Sequence, residues 1–267
     1  MTNGKIALIV GGSTGIGAAT TRLLASSGAQ TIIAAPVPVA EMRELCEEIG
    51  KAGGMASALS CDVVDRTSVQ NLFDAIIAQF GRIDIVVNSA GVFFPTPAFA
   101  PNPDQIDALI RVNFVGGINV VHCALKAMKS TGGVIVSVTS TQAVLAEPGC
   151  AVYAATKAGL AHFVASLAPE LKNSGIRVVC VAPGGTRTPM TAAFHQSTAP
   201  EMKALLDQWS RTDGGPYGQF FLEPDQVAKI IAFVASDAAR AIHGTSVVAD
   251  QGHTSALPGI RGLDISE

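Results

Sequence analysis

Seven short apolar runs recur along this 267-residue chain, and between them lie amphipathic stretches of helix length. The first runs are Lys5–Val10, Thr31–Ala35, Met55–Ser60 and Ile83–Val87. Val134–Val138, Ile176–Val181 and Thr245–Ala249 follow. Most are apolar at every position rather than at alternate ones, so both faces of these strands must be covered. Strands buried on both sides and joined by helices predict an α/β fold: a Rossmann-like, doubly wound parallel sheet with helices on both faces. Glycines punctuate the helices: Gly28, Gly50, Gly81 and Gly175 are each read as a helix stop. No linker or shift in composition divides the chain, so one dinucleotide-binding oxidoreductase domain over 1–267 is expected.

The first apolar run leads directly into Gly11-Gly-Ser-Thr-Gly15-Ile-Gly17 and then a helix to Ser27. Strand, glycine turn and helix is the setting in which backbone can approach a pyrophosphate, with free N–H groups at the helix start facing it. Further on, Ser140 closes a buried strand, and Tyr153 and Lys157 lie four apart on a helix starting near Cys150. Residues four apart share a helix face. A lysine ammonium there is expected to favour the phenolate and lower the Tyr153 pKa, making the tyrosine a proton-transfer group.

Three other segments stand out. Asn102-Pro103-Asp104-Gln105 is a strong helix start. Its helix carries Asn113 at its middle, with Gly116 and Gly117 close behind, which predicts an irregular backbone. Pro169 is expected to kink the Tyr153 helix or end it early. Residues 190–223 have no strand character and hold one short helix, Glu201–Arg211. Residues 188–223 are read as a substrate-binding lid, and 253–267 as a tail.

Composition excludes several classes. The chain is 48% hydrophobic and 15% charged with a net charge of −3, which gives no basic footprint for nucleic acid. It has no run of 18 apolar residues and no apolar leader at its start, so a cytoplasmic protein without membrane partners is expected. Five scattered cysteines without a C-x-x-C pair suit reduced thiols, and Cys150 is read as a small helix residue near the site. No His/Cys/Asp cluster has metal-ligand spacing, so no metal is expected.

Taken in order, these residues resemble the short-chain dehydrogenase/reductase family over about residues 4–252. The shared pieces are Gly11-x-x-x-Gly15-x-Gly17, Asp62-Val63, Asn88-Ser-Ala-Gly91, Asn113, Ser140, Tyr153-x-x-x-Lys157, and Pro183-Gly184 with Thr188. The resemblance implies that Tyr153 is the general acid in carbonyl reduction and the general base in alcohol oxidation. It implies that Ser140 polarises the substrate oxygen. Lys157 would hold the nicotinamide ribose, and Asn113 would anchor a relay water. It assigns NAD(H) or NADP(H) to Gly11, Ser13, Thr14, Gly15, Ile16 and Gly17, to Ala35, to Asp62 and Val63, and to Asn88, Ala90 and Gly91. Tyr153, Lys157, Pro183, Gly184, Thr186 and Thr188 complete that set. Asp62 would take the adenine amino group and Thr188 the carboxamide.

The chain departs from the family pattern at Val10, Ser89 and Val179, and most consequentially after the second strand. Neither the acidic residue that meets a free ribose nor the basic one that meets a 2′-phosphate stands at Ala35 or Pro36. The apolar Ala35–Val39 wall tilts the expectation narrowly to NAD(H). The substrate is expected to be a small, mostly apolar carbonyl compound or alcohol, contacting Ser140, Gln142, Tyr153 and Trp209. Val144, Glu147 and the aromatic residues Phe93, Phe94, Phe194, Phe220 and Phe221 would line its pocket. His195 is read as an exposed loop histidine, and His122 and His162 as structural. The helices around 103–129 and 150–172 are too apolar for water-facing surfaces, and the resemblance to a family that pairs them across a two-fold axis implies a homotetramer or homodimer. Two other readings stay open: a non-catalytic nucleotide-binding sensor or scaffold, and an epimerase, dehydratase or enoyl reductase on the same fold.

Overall fold

The computed structural model describes residues 2–213 and 215–255. Seven parallel strands form one sheet in the order β3-β2-β1-β4-β5-β6-β7. They are β1 (Ile6–Val10), β2 (Gln30–Ala35), β3 (Met55–Ser60), β4 (Ile85–Asn88), β5 (Gly133–Val138), β6 (Ile176–Pro183) and β7 (Ser246–Ala249). The order reverses between β1 and β4, which pair from Ala7–Ile85 to Val10–Asn88. A crevice opens at that reversal, beyond the carboxyl ends of the strands.

The apolar runs follow from two-sided burial. Successive side chains of a strand point to opposite faces. Leu8 and Val10 therefore pack with Val69, Phe73 and Ile76 of helix α3 (Arg66–Phe80), with Val120 and Val121 of α5 (Gly117–Ala127), and with Val164 of α6 (Ala151–Leu167). Ala7 and Ile9 face the other way. They pack with Leu24 of α1 (Gly15–Ser26) and with Val227, Ile231 and Val234 of α9 (Pro224–Ala235).

Local signals account for most boundaries. Asn102 caps α4 (Pro103–Leu109), its Oδ1 accepting from Asp104 N at 2.9 Å and Gln105 N at 3.4 Å. The expected irregular backbone at Asn113 is a π-helical turn, Ile110–Gly116, joining α4 to α5. α6 ends at Leu167, and the chain tightens into a 3-10 turn at Ala168–Leu171 around Pro169. One stop differs. Helix α2 (Val39–Lys51) runs through Gly50, where an added Cβ would meet open space, and the chain turns at Gly53 with φ +83°. Among the described residues nothing packs against Gly50 to end the helix, whereas Gly53 holds a conformation that disfavours L side chains.

The segment after β6 carries α7 (Ala192–His195) and α8 (Pro200–Asp213), the latter longer than the expected Glu201–Arg211. Its two ends are tied together. Leu222 N donates to Gly185 O at 2.8 Å, and Arg187 N donates to Leu222 O at 2.9 Å. The Arg187 side chain also pairs with Glu223 at 3.1 Å and lies over the Phe221 ring. The excursion therefore rises from a closed base, in the manner of a compact surface loop.

Candidate active site

A cleft of about 1230 Å³ lies at the carboxyl edge of the sheet. Each strand ends at it: Val10, Ala35, Cys61, Ser89, Val138, Pro183 and Asp250 all line its wall. That volume exceeds the roughly 300–1,000 Å³ of a pocket for one drug-sized molecule, so it has room for a dinucleotide and a substrate together.

One end is built from glycine. Gly11 has φ +76°, and a Cβ there would stand 2.6 Å from Ala90 N. A Cβ on Gly17 would collide with the Gly11 carbonyl. The loop can therefore fold tightly against both β4 and α1 only with glycine at these two positions. Thr14 provides no side-chain cap for α1, so the helix start presents main-chain N–H groups beside the cleft. Ser13, Thr14, Gly15, Ile16, Ala35, Pro36, Asp62, Val63, Ala90 and Gly91 line the same wall. Val63 is fixed from behind, where buried Asn119 of α5 donates to its carbonyl at 2.9 Å. Asp62 turns the chain by accepting from Val64 N at 3.0 Å.

At the other end β5 delivers Ser140, and α6 delivers Tyr153 and Lys157, one turn apart. Ser140 stands close enough to the Tyr153 phenol to favour the phenolate. Lys157 is buried and donates its Nζ to Val138 O at 3.1 Å. The ammonium stands 5.7 Å from the Tyr153 ring centre. Phe93 meets Tyr153 edge-on with ring centres 5.2 Å apart, and Phe194 stands beyond Phe93 at 6.3 Å.

The expected lowering of the Tyr153 pKa is overturned. Burial pushes the phenol up to about 12, outweighing the Ser140 hydrogen bond that favours the phenolate, and Cys150 and Glu147 add to the rise. Burial also brings Lys157 down to about 8. Lys157 Nζ donates to the Val138 carbonyl, and burial is the largest influence on the tyrosine.

Asn113 sits behind this site. Its Nδ2 donates to Val92 O at 2.9 Å and its Oδ1 accepts from Val92 N at 2.8 Å, so one side chain grips the peptide of Val92 from both sides. Nδ2 also reaches Thr156 Oγ1 at 3.4 Å. The side chain therefore holds the segment from Gly91 to Phe93 in place, and it does not itself line the cleft.

The remaining sequence-predicted residues divide in the same way. Pro183, Gly184, Thr186 and Thr188 line the cleft, and Thr188 packs over Gly15, where a Cβ would stand 3.1 Å from its methyl group. Gln142, Glu147, Phe220 and Phe221 also line it, and so does Cys150, the residue preceding α6. Asn88 does not line the cleft; its amide nitrogen faces Gly117 of α5. Gly17 lies beneath the loop, and Phe94 and Val144 are off the wall, the latter exposed. Trp209 falls on α8, but its side chain lies outside the described residues, as does the tail beyond Ser255. His195 is half-buried rather than exposed, pairing with Thr188 O at 3.2 Å and meeting Phe221 edge-on. His122 stacks on Phe163 between α5 and α6.

Sequence reading missed Asp250 and His253, which close the cleft after β7. Asp250 accepts from Gly252 N, Thr254 N and Thr254 Oγ1. Although burial opposes it, these bonds from Thr254 and Gly252 hold its carboxyl below the usual range. The run Ala249-Asp250-Gln251-Gly252-His253 carries turn residues that could have signalled a structured end to the strand. Among the described residues no group of three or more His, Cys, Asp and Glu is arranged to hold a metal ion.

The residues present fit a nicotinamide dinucleotide: a glycine cradle too tight for side chains, a helix start beside it, and a buried lysine next to a tyrosine and serine. Comparison with known proteins agrees. The family model for short chain dehydrogenase matches residues 5–199. The chain is 35% identical over 250 residues to 3-oxoacyl-acyl-carrier-protein reductase FabG of Thermotoga maritima, covering 93% of this chain and 97% of that one. It is 34% identical over 254 residues to D-threitol dehydrogenase of Mycolicibacterium smegmatis, covering 94% of each. It resembles the crystal structure of a short chain dehydrogenase from Burkholderia cenocepacia in complex with NADP. The TM-score is 0.83 at 33% identity, over 95% of this chain and 99% of that one. With the fold, the cleft and these relatives in agreement, the chain belongs to the short-chain dehydrogenase/reductase family and is an NAD(P)-dependent oxidoreductase of carbonyl compounds and alcohols.

Proposed function

We propose that this oxidoreductase uses Tyr153 as its proton-transfer group and prefers NAD(H). The observation that carries the first part is the meeting of Ser140, Tyr153 and Lys157 at one end of the cleft, beside the aromatic wall of Phe93. The coenzyme supplies or accepts the hydride. Tyr153 holds its proton at neutral pH and can donate it to a substrate oxygen as charge develops there. Ser140, beside the phenol on the same cleft, offers a second contact to that oxygen. Lys157, anchored on Val138 O, keeps a cation beneath the ring. Gly11–Gly17, Asp62, Val63, Ala90, Gly91 and the Pro183–Thr188 strand end would hold the dinucleotide. Asn113 positions that wall through Val92.

The preference for NAD(H) rests on charge. Lys157 alone among the described lining residues is a lysine or arginine, and its Nζ is already committed to Val138. A ribose 2′-phosphate carries nearly two negative charges and needs a cation beside it, and Ala35 and Pro36 offer none. The substrate reading is a carbonyl compound or alcohol with an apolar body, in keeping with Phe93, Phe194, Phe220 and Phe221 on the wall. A homo-oligomer, dimer or tetramer, fits the apolar stretch Pro103–Ala127. Comparing kcat/KM for NADH and NADPH with one ketone tests the cofactor reading. NADH is expected to be favoured. An NADPH preference above about 100-fold, or ~2.7 kcal/mol, would overturn it.

A further inference from the structure

The cleft carries a polar pair that the proton-transfer chemistry leaves unused. Gln142 follows Ser140 by two residues, and its main-chain N–H donates to Ser140 Oγ at 3.2 Å, fixing it beside the reacting end. Its Nε2 donates to Glu147 Oε2 at 2.6 Å. That bond sets the orientation of the amide and leaves Gln142 Oε1 buried, with no hydrogen-bond partner among the described residues. A buried acceptor without a donor is a cost that folded proteins carry at few positions, and each calls for an explanation. Both residues line the cleft, and Glu147 lies close enough to act by charge on Tyr153 and Cys150. Phe93 and Phe194 line the same cleft, and no arginine lines it among the described residues.

We propose that Gln142 and Glu147 form a donor-seeking subsite, so that the preferred substrates carry a hydroxyl or ammonium group beyond an apolar body, and substrates ending in a carboxylate are rejected. This rests on the oxidoreductase reading above and gives its site a substrate class. Gln142 Oε1 takes the donor hydrogen; the Glu147 carboxylate favours a cation there and repels an anion. The aromatic wall takes the apolar body and supplies no compensating charge. A hydroxyl and an ammonium group share the donor chemistry, and only the ammonium depends on the Glu147 charge.

The test is a matched series of cyclohexanones bearing methyl, hydroxymethyl, aminomethyl or carboxylate at ring position 4, compared by kcat/KM with NADH. The hydroxymethyl and aminomethyl ketones are expected to exceed the methyl compound by about fivefold, and the carboxylate to fall about tenfold below it. Glu147→Gln should erase most of the carboxylate penalty and the ammonium advantage while leaving the hydroxyl advantage. Gln142→Leu should remove the hydroxyl advantage. A residue that only supported the fold would lower all four substrates together and leave their ratios unmoved. A carboxylate penalty unchanged in Glu147→Gln, or a wild-type preference for the carboxylate, would overturn the proposal. If none of the four turned over, the oxidoreductase reading itself would fail. Calorimetric binding of the same four compounds would then still decide the subsite, and equal affinities would overturn it.

Discussion

Lys157 is placed where a lysine is least comfortable. It is buried, its Nζ meets one carbonyl, and its pKa is brought down to about 8 from 10.5 by desolvation. A depression of that size is a penalty of about 3 kcal/mol on the charged form near neutral pH. Lys157→Met is therefore expected to raise stability at pH 7 by about 1–2 kcal/mol, after loss of the Val138 bond is subtracted. The sign of the pH dependence follows from proton binding. Between pH 8 and 10.5 the unfolded chain holds more protons on this lysine than the folded one does. The stability of the unaltered protein therefore rises with pH, and the gap between the two proteins closes. Tyr153, raised to about 12, acts oppositely above pH 10 but is present in both and cancels in the difference. Urea melts from pH 7 to 10.5 read this directly. A variant less stable than the parent at pH 7 would show that the lysine is a net support of the fold, contrary to this reading.

Among the elements, the π-helical turn Ile110–Gly116 does the most for the site. It points Asn113 inward, and that one side chain satisfies both polar groups of the Val92 peptide. Asn113→Leu leaves this N–H and C=O unpaired and is expected to cost about 2 kcal/mol by chemical denaturation, with turnover reduced as the Gly91–Phe93 wall loosens. A loss under about 0.5 kcal/mol, within the range of neutral surface changes, would contradict the positioning role. The signal for this turn was legible beforehand, because asparagine and two glycines are poor residues for a helix interior. The glycine loop was legible for the same local reason, and so was the Tyr153–Lys157 pairing, which needs only helix geometry. What the sequence hid were effects of tertiary packing. The Tyr153 pKa depends on how deeply α6 is buried and where the Lys157 ammonium is anchored, and no spacing rule reports either. Asp250 and His253 come to the cleft only because β7 lies beside β6 at the sheet edge. Asn88 turned toward α5 rather than the cleft because of the parity of one strand residue. The Leu222 pins at the base of the 188–223 segment join positions 35 or more residues apart, beyond any local pattern.

At the scale of the molecule, the helical stretch Pro103–Ala127 has a mean hydropathy of 1.5 over a window of which 44% is buried. By length and composition it could cross a membrane, but its inner face, with Leu109, Val120, Val121 and Ala124, is already in the core. The apolar remainder, Ile110 among it, suits a partner helix of a second copy. Sedimentation velocity at micromolar concentration should show a dimer or tetramer, and a monomer alone would contradict that. Above all, this sheet holds Ser140, Tyr153 and Lys157 together at a cleft proposed to move a proton in step with a hydride. The most direct measurement of that step is loss of absorbance at 340 nm when NADH and a panel of ketones are given to the protein and to Tyr153→Phe, with NADH binding followed separately by fluorescence. Alcohol should form in step with NADH consumed. In the variant, turnover should fall by about 10²–10⁴, with NADH affinity nearly unchanged. A variant that keeps a tenth of the activity, or a parent protein that turns over no ketone at all, would contradict this.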